Sequence, residues 1–498
     1  MKTLLYISLF SCISSAVIAQ VRSGDETADF KLKAGTIFTS NVSGLNSELP
    51  FWLHANRDGT IDQSSANALL YVDGSSYLYK GRDFSVETGG RFISRYSDDS
   101  AINFNELYVH ATAYSFKLSA GRFIDPLASK EDELSTGSFM ISRNATPIPK
   151  VAFYTDGFTG VPGTQGIIRY NALFAHGWFE DDRYVQSPYL HQKYFYLSIK
   201  YAFFDAVGGI VHNVQWAGES QNPNVGQLPS GWDTFSTVVF ARGSKNEDAP
   251  GGEQTNAVGN SVAAYDFSLG LFFKDFDMRA YRLFYLEDKV STRFRSPWDG
   301  VWGLTIKPKN IPLVKNFLWE HINTKRQDSF DFEPYGTSRY YNNFIYRTGW
   351  TYNRRVIGNP LLLSDGADGS DDYPVYNNII IGHHFGISGS LLADINFTIK
   401  YTFTRNYGVF EEQIITQYHY SECSDIPDTI CADLRPLEEV KKINHSFILE
   451  VSSTIPNNES IKYGVSLTSD FGELYGDRLG LMVNLEWEIQ DLKLRIKD

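Results

Sequence analysis

Eight consecutive residues, Phe397-Thr398-Ile399-Lys400-Tyr401-Thr402-Phe403-Thr404, constrain this chain more than any other segment. Every odd position is large and apolar, and every even one is polar. Successive side chains of an extended strand point to opposite faces, so the segment has one greasy face and one wet one. The pattern returns along the sequence. Between Arg82 and Tyr96 it sets Phe84, Val86, Thr88, Phe92 and Tyr96 against Asp83, Ser85, Glu87, Arg91 and Arg95. Between Lys193 and Phe203 it sets Phe195, Leu197, Ile199, Tyr201 and Phe203 against Tyr194, Tyr196, Ser198 and Lys200. Near the end, Leu481, Val483, Leu485, Trp487 and Ile489 oppose Met482, Asn484, Glu486 and Glu488. Charges on the second face are costly against lipid and inexpensive in a hydrated lumen. A soluble sandwich would instead bury the aromatic faces against a second sheet. Periodicity alone does not separate the two.

An export signal and an aromatic load favour the membrane. Residues 1–19 read as a signal peptide: Lys2 gives the positive start, Leu4 to Val17 is mostly apolar, and Val17-Ile18-Ala19 suits cleavage before Gln20. Leu9-Phe10-Ser11-Cys12 loosely resembles a lipidation box, but the bulky Phe10 and the short run before Cys12 argue against it. Aromatic residues make up 15% of the chain, while its mean hydropathy is a mildly polar −0.27. An oily outer band averaged with a wet interior and wet loops gives such a value. No later stretch reaches the ~18 apolar residues of a spanning helix, so any crossing uses strands. The expectation is an all-β chain forming a transmembrane antiparallel β-barrel in an outer membrane. Alternating segments number about sixteen to twenty, with an even count expected of a closed barrel. No Pro/Ser/Gly linker divides the mature chain, so 20–498 is expected to be one barrel domain with N-terminal and loop plug segments.

Three stretches break the alternation: Leu49 to Ala68, the proline-bearing Asp125 to Gly163, and Trp216 to Asn260. Loops of such length suit a role inside a wide lumen. In the third, the spacing of Trp232, Phe235 and Val239 predicts a short amphipathic helix. The net charge of −13 argues against nucleic acid, and against anionic lipid headgroups as general partners. Once Cys12 leaves with the leader, Cys423 and Cys431 remain, and an oxidising compartment favours a disulfide between them. No His or third Cys lies at ligand spacing beside them, so no metal is expected.

Several segments resemble the Wzi family of outer-membrane capsule-assembly proteins. They are Pro50-Phe51-Trp52-Leu53 with Asn56 and Gly59; Gly137-Ser138-Phe139 through Asn144-Ala145-Thr146-Pro147-Ile148-Pro149; and Ala172 through Phe179. Tyr189 through Tyr194, Gly208 through Trp216, and Gly349-Trp350-Thr351-Tyr352 through Arg355-Val356-Ile357-Gly358-Asn359-Pro360 continue the likeness in order. The resemblance implies an eighteen-stranded barrel obstructed by short helices and inward-folded loops. It also implies a surface lectin that anchors capsular polysaccharide or exopolysaccharide. Residues Thr404 to Leu437 show no such likeness. The end, Leu494-Arg495-Ile496-Lys497-Asp498, lacks the terminal aromatic residue that insertion machinery reads.

Enzyme chemistry finds little support. The histidines are scattered, adjacent His383 and His384 must face opposite sides of a strand, and no HExxH occurs. Gly386-Ile387-Ser388-Gly389-Ser390 misses the nucleophile elbow by one position. No catalytic residue and no cofactor is expected. Sugar recognition needs flat aromatic faces ringed by polar donors and acceptors. That mixture occurs at His176 with Trp178, at His212 through Trp216, and at Trp350 with Tyr352, Arg354 and Arg355. Each set has a structural alternative, since Trp and Tyr also mark membrane interfaces and inward Arg pairs inside lumens. The expected partners are a polysaccharide, outer-membrane lipid and the barrel-insertion machinery, with the protein monomeric. A porin-like channel and a barrel-embedded hydrolase are the alternatives.

Overall fold

The computed structural model describes residues 30–489, apart from 44–47, 131–132, 246–249, 256, 288–295, 328–338, 367–373, 393, 410–439 and 457. The leader, Cys423, Cys431 and the last nine residues therefore lie outside the described residues. Eighteen strands follow one another in a single antiparallel sheet. They are β1 (Phe30–Asn41), β2 (Asn67–Lys80), β3 (Phe84–Tyr96), β4 (Ala101–Ala113), β5 (Phe116–Arg122), β6 (Pro149–Thr155), β7 (Ile168–Trp178), β8 (Tyr189–Tyr201) and β9 (Phe204–Trp216). The second half is β10 (Asn260–Phe272), β11 (Phe276–Leu286), β12 (Gly300–Pro308), β13 (Val314–Asn323), β14 (Ile380–Leu392), β15 (Ile395–Asn406), β16 (Lys442–Ile455), β17 (Asn458–Gly472) and β18 (Arg478–Ile489). A two-residue piece, Thr159–Gly160, prolongs β6 along the same partner, β7. β18 pairs with β1 from Leu32↔Ile489 to Asn41↔Gly480, so the sheet closes on itself. Closure removes every exposed strand edge, which a membrane requires.

Side-chain alternation sets the wall. On β8, Phe195, Leu197 and Ile199 are 47%, 47% and 51% exposed, while Tyr194, Tyr196 and Ser198 are 3%, 6% and 0%. On β17 and β18, Tyr463, Val465, Leu467, Leu481, Val483, Leu485 and Trp487 form the same exterior. Among the described residues no second sheet covers these faces, and the single sheet closes on itself, so the sandwich alternative falls and hydrocarbon is their environment. Inside, polar residues pair: Arg91 with Asp73 at 2.7 Å, and Asp205 with Ser198, Arg169 and Arg279 at 2.7, 2.9 and 3.1 Å.

Connections orient the molecule. Those joining β2 to β3, β4 to β5, β8 to β9, β10 to β11, β14 to β15 and β16 to β17 are three residues or fewer. Residues 42–66, 123–148, 217–259, 324–379 and 407–441 all leave from the opposite end. Outer-membrane barrels carry short turns on the periplasmic side and long loops outside, so the long connections face the exterior of the cell.

Two of the three irregular stretches fold inward with a third partner, residues 340–366. The first contributes the short helix α1 (Phe51–His54), whose Phe51, Trp52 and Leu53 are buried. Residues 123–148 and 340–366 supply Phe123, Phe139, Met140, Tyr340, Tyr341, Trp350, Ile357 and Leu362 to the same luminal core, with Leu190, Val211, Val262, Tyr285 and Ile322 of the wall. Residues 217–259 take another course. Their helix α2 (Trp232–Val239) lies on the outer wall, where Phe235 meets the rings of Phe174, His176, His191 and Trp216. Its buried face is Phe235 and Val238, and Trp232 points away at 80% exposure. The reason is register: β7, β8 and β9 end with outward aromatic and imidazole rings, which offer the helix a ready apolar seat.

Candidate functional site

The plug is assembled from hydrogen bonds that its own sequence supplies. Glu320 of β13 accepts from Ser135 Oγ, Thr136 N and Thr136 Oγ1 at 2.8, 2.9 and 2.8 Å, and from Tyr281 at 2.6 Å. Asp470 of β17 accepts from Phe51 N at 2.8 Å, and Arg57 pairs with Glu450 of β16 at 2.5 Å. His384 contacts Thr402 Oγ1 at 2.8 Å and the Leu134 carbonyl at 2.6 Å, while Lys400 stands 4.8 Å over the Trp52 ring. The outer segment then clamps the inner ones. Trp350 Nε1 donates to the Met140 carbonyl at 2.9 Å, Tyr341 to that of Phe139 at 2.6 Å, and Asn359 to that of Gly137 at 2.6 Å. Asp58 joins Arg143 across the two inner segments. A cavity of about 880 Å3 remains on the periplasmic side of this stopper, with Asp277, Arg279, Lys307 and Glu320 in its wall.

The outer face carries a hairpin at its surface. Thr351–Tyr352 pairs with Arg355–Val356, and the linking Asn353 and Arg354 have φ of 47° and 63°. Positive φ at both central positions is the two-residue turn whose twist matches the flanking strands. Arg183 holds the hairpin's base by donating to the Thr351 and Gly349 carbonyls and to Glu180, and Glu180 accepts from Asn353 N. The Arg354 guanidinium is left at the tip, 76% exposed, 3.8 Å from an Asp182 that is 85% exposed. So open a pair is worth under ~1 kcal/mol and yields readily to another anion.

The eight residues expected at a binding site fall into three places. Arg354 is alone at the hairpin tip. Its neighbour Arg355 points the other way, into the plug, and donates to the carbonyls of His54 and Ile61. Trp350 and Tyr352 are buried beside it, the latter receiving Arg122 at 3.1 Å. His176, Trp178, His212 and Trp216 lie on the exterior wall near its outer rim. There His176 meets Trp178 and Trp216 edge-on at 5.5 and 5.9 Å, and His212 contacts Lys193 and Ser261 at 2.7 and 3.2 Å. His176 and Trp178 keep partly open surfaces, and α2 covers Trp216. Arg354 and Arg355 therefore do not form one cationic cluster: Arg354 lies in the turn with positive φ, and Arg355 opens the returning strand and faces the plug. Sequence reading missed Asp182, Glu180 and Arg183, whose grouping depends on a contact between two loops about 170 residues apart. The acidic run Glu180-Asp181-Asp182 before Arg183 was the only local hint.

A Ser–His contact does exist inside the barrel. His110 Nδ1 lies 2.7 Å from Ser119 Oγ, which also meets Tyr154 at 3.1 Å. Ser119 has no exposed surface, so nothing can reach its hydroxyl in this arrangement.

Residues 53–365 match the family described as capsule assembly protein Wzi. The chain belongs to that family. The matched span runs from within α1 through the hairpin and takes in most of the inward segments. Among solved structures, one is described as Wzi, an outer membrane protein involved in group 1 capsule assembly in Escherichia coli and a carbohydrate-binding β-barrel. It is 12% identical over 96% of this chain and 88% of that one, with a TM-score of 0.54. Pseudomonas aeruginosa OccK5 (OpdH) aligns over 93% of this chain and 98% of its own at 7% identity, with a TM-score of 0.47. No curated protein matches. The protein is thus an outer-membrane barrel of the Wzi family, with the eighteen strands and the obstructed lumen that the resemblance implied.

Proposed function

We propose that this protein is a surface lectin that holds capsular polysaccharide or exopolysaccharide to the outer membrane, acting by binding and not by catalysis. One observation carries the reading: the barrel's own loops obstruct its outer half, so its outward face and not a pore is the working surface. Family membership supports it, as does the carbohydrate-binding description of the Escherichia coli relative. On that face Arg354 presents a nearly free guanidinium, suited to a carboxylate of an acidic glycan. Trp178 and His176 supply aromatic surface at the rim. Trp350, Tyr352 and Arg355 act behind this face by holding the hairpin and stopper in place, whereas Trp216 seats α2 on the outer wall and His212 is held by Lys193 and Ser261.

The test is capsule retention. Deleting the gene is expected to leave polysaccharide made but shed into the medium, and the Arg354→Ala protein to restore attachment only in part. Firmly attached capsule on the deletion strain would refute the proposal.

A further inference from the structure

Most acidic side chains of β11 to β16 point into the lumen, and the outer wall of those strands carries the opposite charge. A row of directly paired outward residues crosses six strands: Arg282↔Trp302, Trp302↔His321, His321↔His383, His383↔Phe403 and Phe403↔His445. All lie within four residues of the outward ends of their strands. Arg405 stands two positions nearer the rim than Phe403 on the same face. Asp277, Glu320 and Glu450, the acids of these strands, all occupy the inward phase. Arg282 is fixed between the rings of Phe284 and Trp302, 4.1 and 4.5 Å away, with its Nη groups spent on the carbonyls of Leu283, Val301, Pro297 and Asp299. Arg405 has no carboxylate partner among the described residues, and its Nε makes no hydrogen bond. Rings of His321 and His383 sit 4.7 Å apart, on strands that lie between those of Arg282 and Arg405. Next to this row the wall is hollowed. A groove of about 780 Å3 runs between Phe267, Leu269, Trp302, Leu304 and Trp319, with Trp298 above it.

We propose that this exterior groove binds a phosphate-bearing acylated lipid of the outer leaflet. An acyl chain lies along the tryptophan-lined hollow, and the phosphate meets Arg405 and His383, with the His321 ring beside them. Three things select this occupant. The site faces hydrocarbon below and the headgroup layer above, so its ligand must be amphiphilic. Its outermost cation, Arg405, has no carboxylate partner among the described residues, which matches an anionic headgroup. The Arg405 guanidinium and the His383 imidazole can aim N–H donors at tetrahedral oxygens, whereas His321 gives its Nδ1–H to the Gly382 carbonyl at 3.1 Å, and Arg282 adds a fixed charge without contact. The chain's negative total does not oppose this, because charge acts locally and the inward acids are spent on the plug and lumen.

Full-length barrel in non-ionic detergent, incubated with bisphosphorylated lipid A or with the same lipid dephosphorylated, tests the site by native mass spectrometry. At least five-fold greater retention of the phosphorylated lipid is expected. Arg405→Gln with His383→Gln should lower that retention at least five-fold while heat-modifiable gel migration stays normal. Ala280→Trp, which fills the hollow and leaves the charges, should lower it as well. Millimolar inorganic phosphate should leave it unchanged. Equal retention of the two lipids, displacement by inorganic phosphate, or undiminished retention in both variants would each overturn the proposal.

Discussion

Arg354 and Arg355 are neighbours with opposite duties, and a single-residue comparison separates them. Arg355→Ala leaves the His54 and Ile61 carbonyls without their donor, at about 1–3 kcal/mol for each orphaned group. Ion flow across planar bilayers is expected to rise for that variant, because α1 loses its anchor. Arg354→Ala breaks only an exposed pair, so conductance should stay at the wild-type level while binding of acidic polysaccharide weakens. His54 offers a second test. Burial, reinforced by Arg355 and Arg478, holds its imidazole down to about 3 from the ordinary 6.5. An unfolded imidazole takes up its proton near 6.5, so the stopper's contribution is intact above that pH and drains away as pH falls towards 3. Amide protection factors over residues 49–62, with the intrinsic pH dependence of exchange divided out, should fall between pH 7 and pH 4, and fall less in His54→Gln. Neither duty was legible beforehand. An arginine reads the same in sequence whether it serves a ligand or a carbonyl, and only the fold decides which.

Among the elements, the strands were the readable part. Strict alternation in β8, β15, β17 and β18 follows from one buried and one lipid-facing side, so a face could be assigned to every residue before the fold was seen. His383 and His384 behave accordingly: the first joins the outer wall, and the second binds the Leu134 carbonyl inside. The helix α2 was legible as a helix and not as to place, since an apolar stripe does not name the surface that will cover it. Glycines in the wall carried a meaning that alternation hides. A Cβ on Gly303 would stand 1.9 Å from the Tyr281 ring, which lies flat across it and reaches Glu320. Gly303→Val should push that ring aside, at the roughly 1–3 kcal/mol of an overpacked site. The expected result is a lower temperature for the heat-modifiable gel shift, together with a looser plug from the lost Tyr281–Glu320 bond. An unchanged transition would show that the ring is free to move.

At the scale of the molecule, a barrel of eighteen strands is wide enough to conduct, and this one is stoppered from outside. Replacing residues 340–366 with a short Gly/Ser connection removes the clamp on Phe139 and Met140. Conductance should then climb about ten-fold or more above wild type, whose current should be near baseline. A wild-type barrel with steady porin-like current would contradict the stopper described above. The all-β class was written in residue pattern, because one apolar and one wet face impose period-two chemistry, and the membrane reading needed the signal peptide and the aromatic load beside it. Strand number came from kinship more than from counting, since β5 and β6 are short and β6 is broken. An obstructed lumen was implied by kinship, but the contacts that close it and the outward seat of α2 had to wait for the folded chain. Each rests on contacts between segments tens to hundreds of residues apart, such as Trp350 with Met140 or Phe51 with Asp470, and local sequence holds no record of which distant partner a side chain will meet.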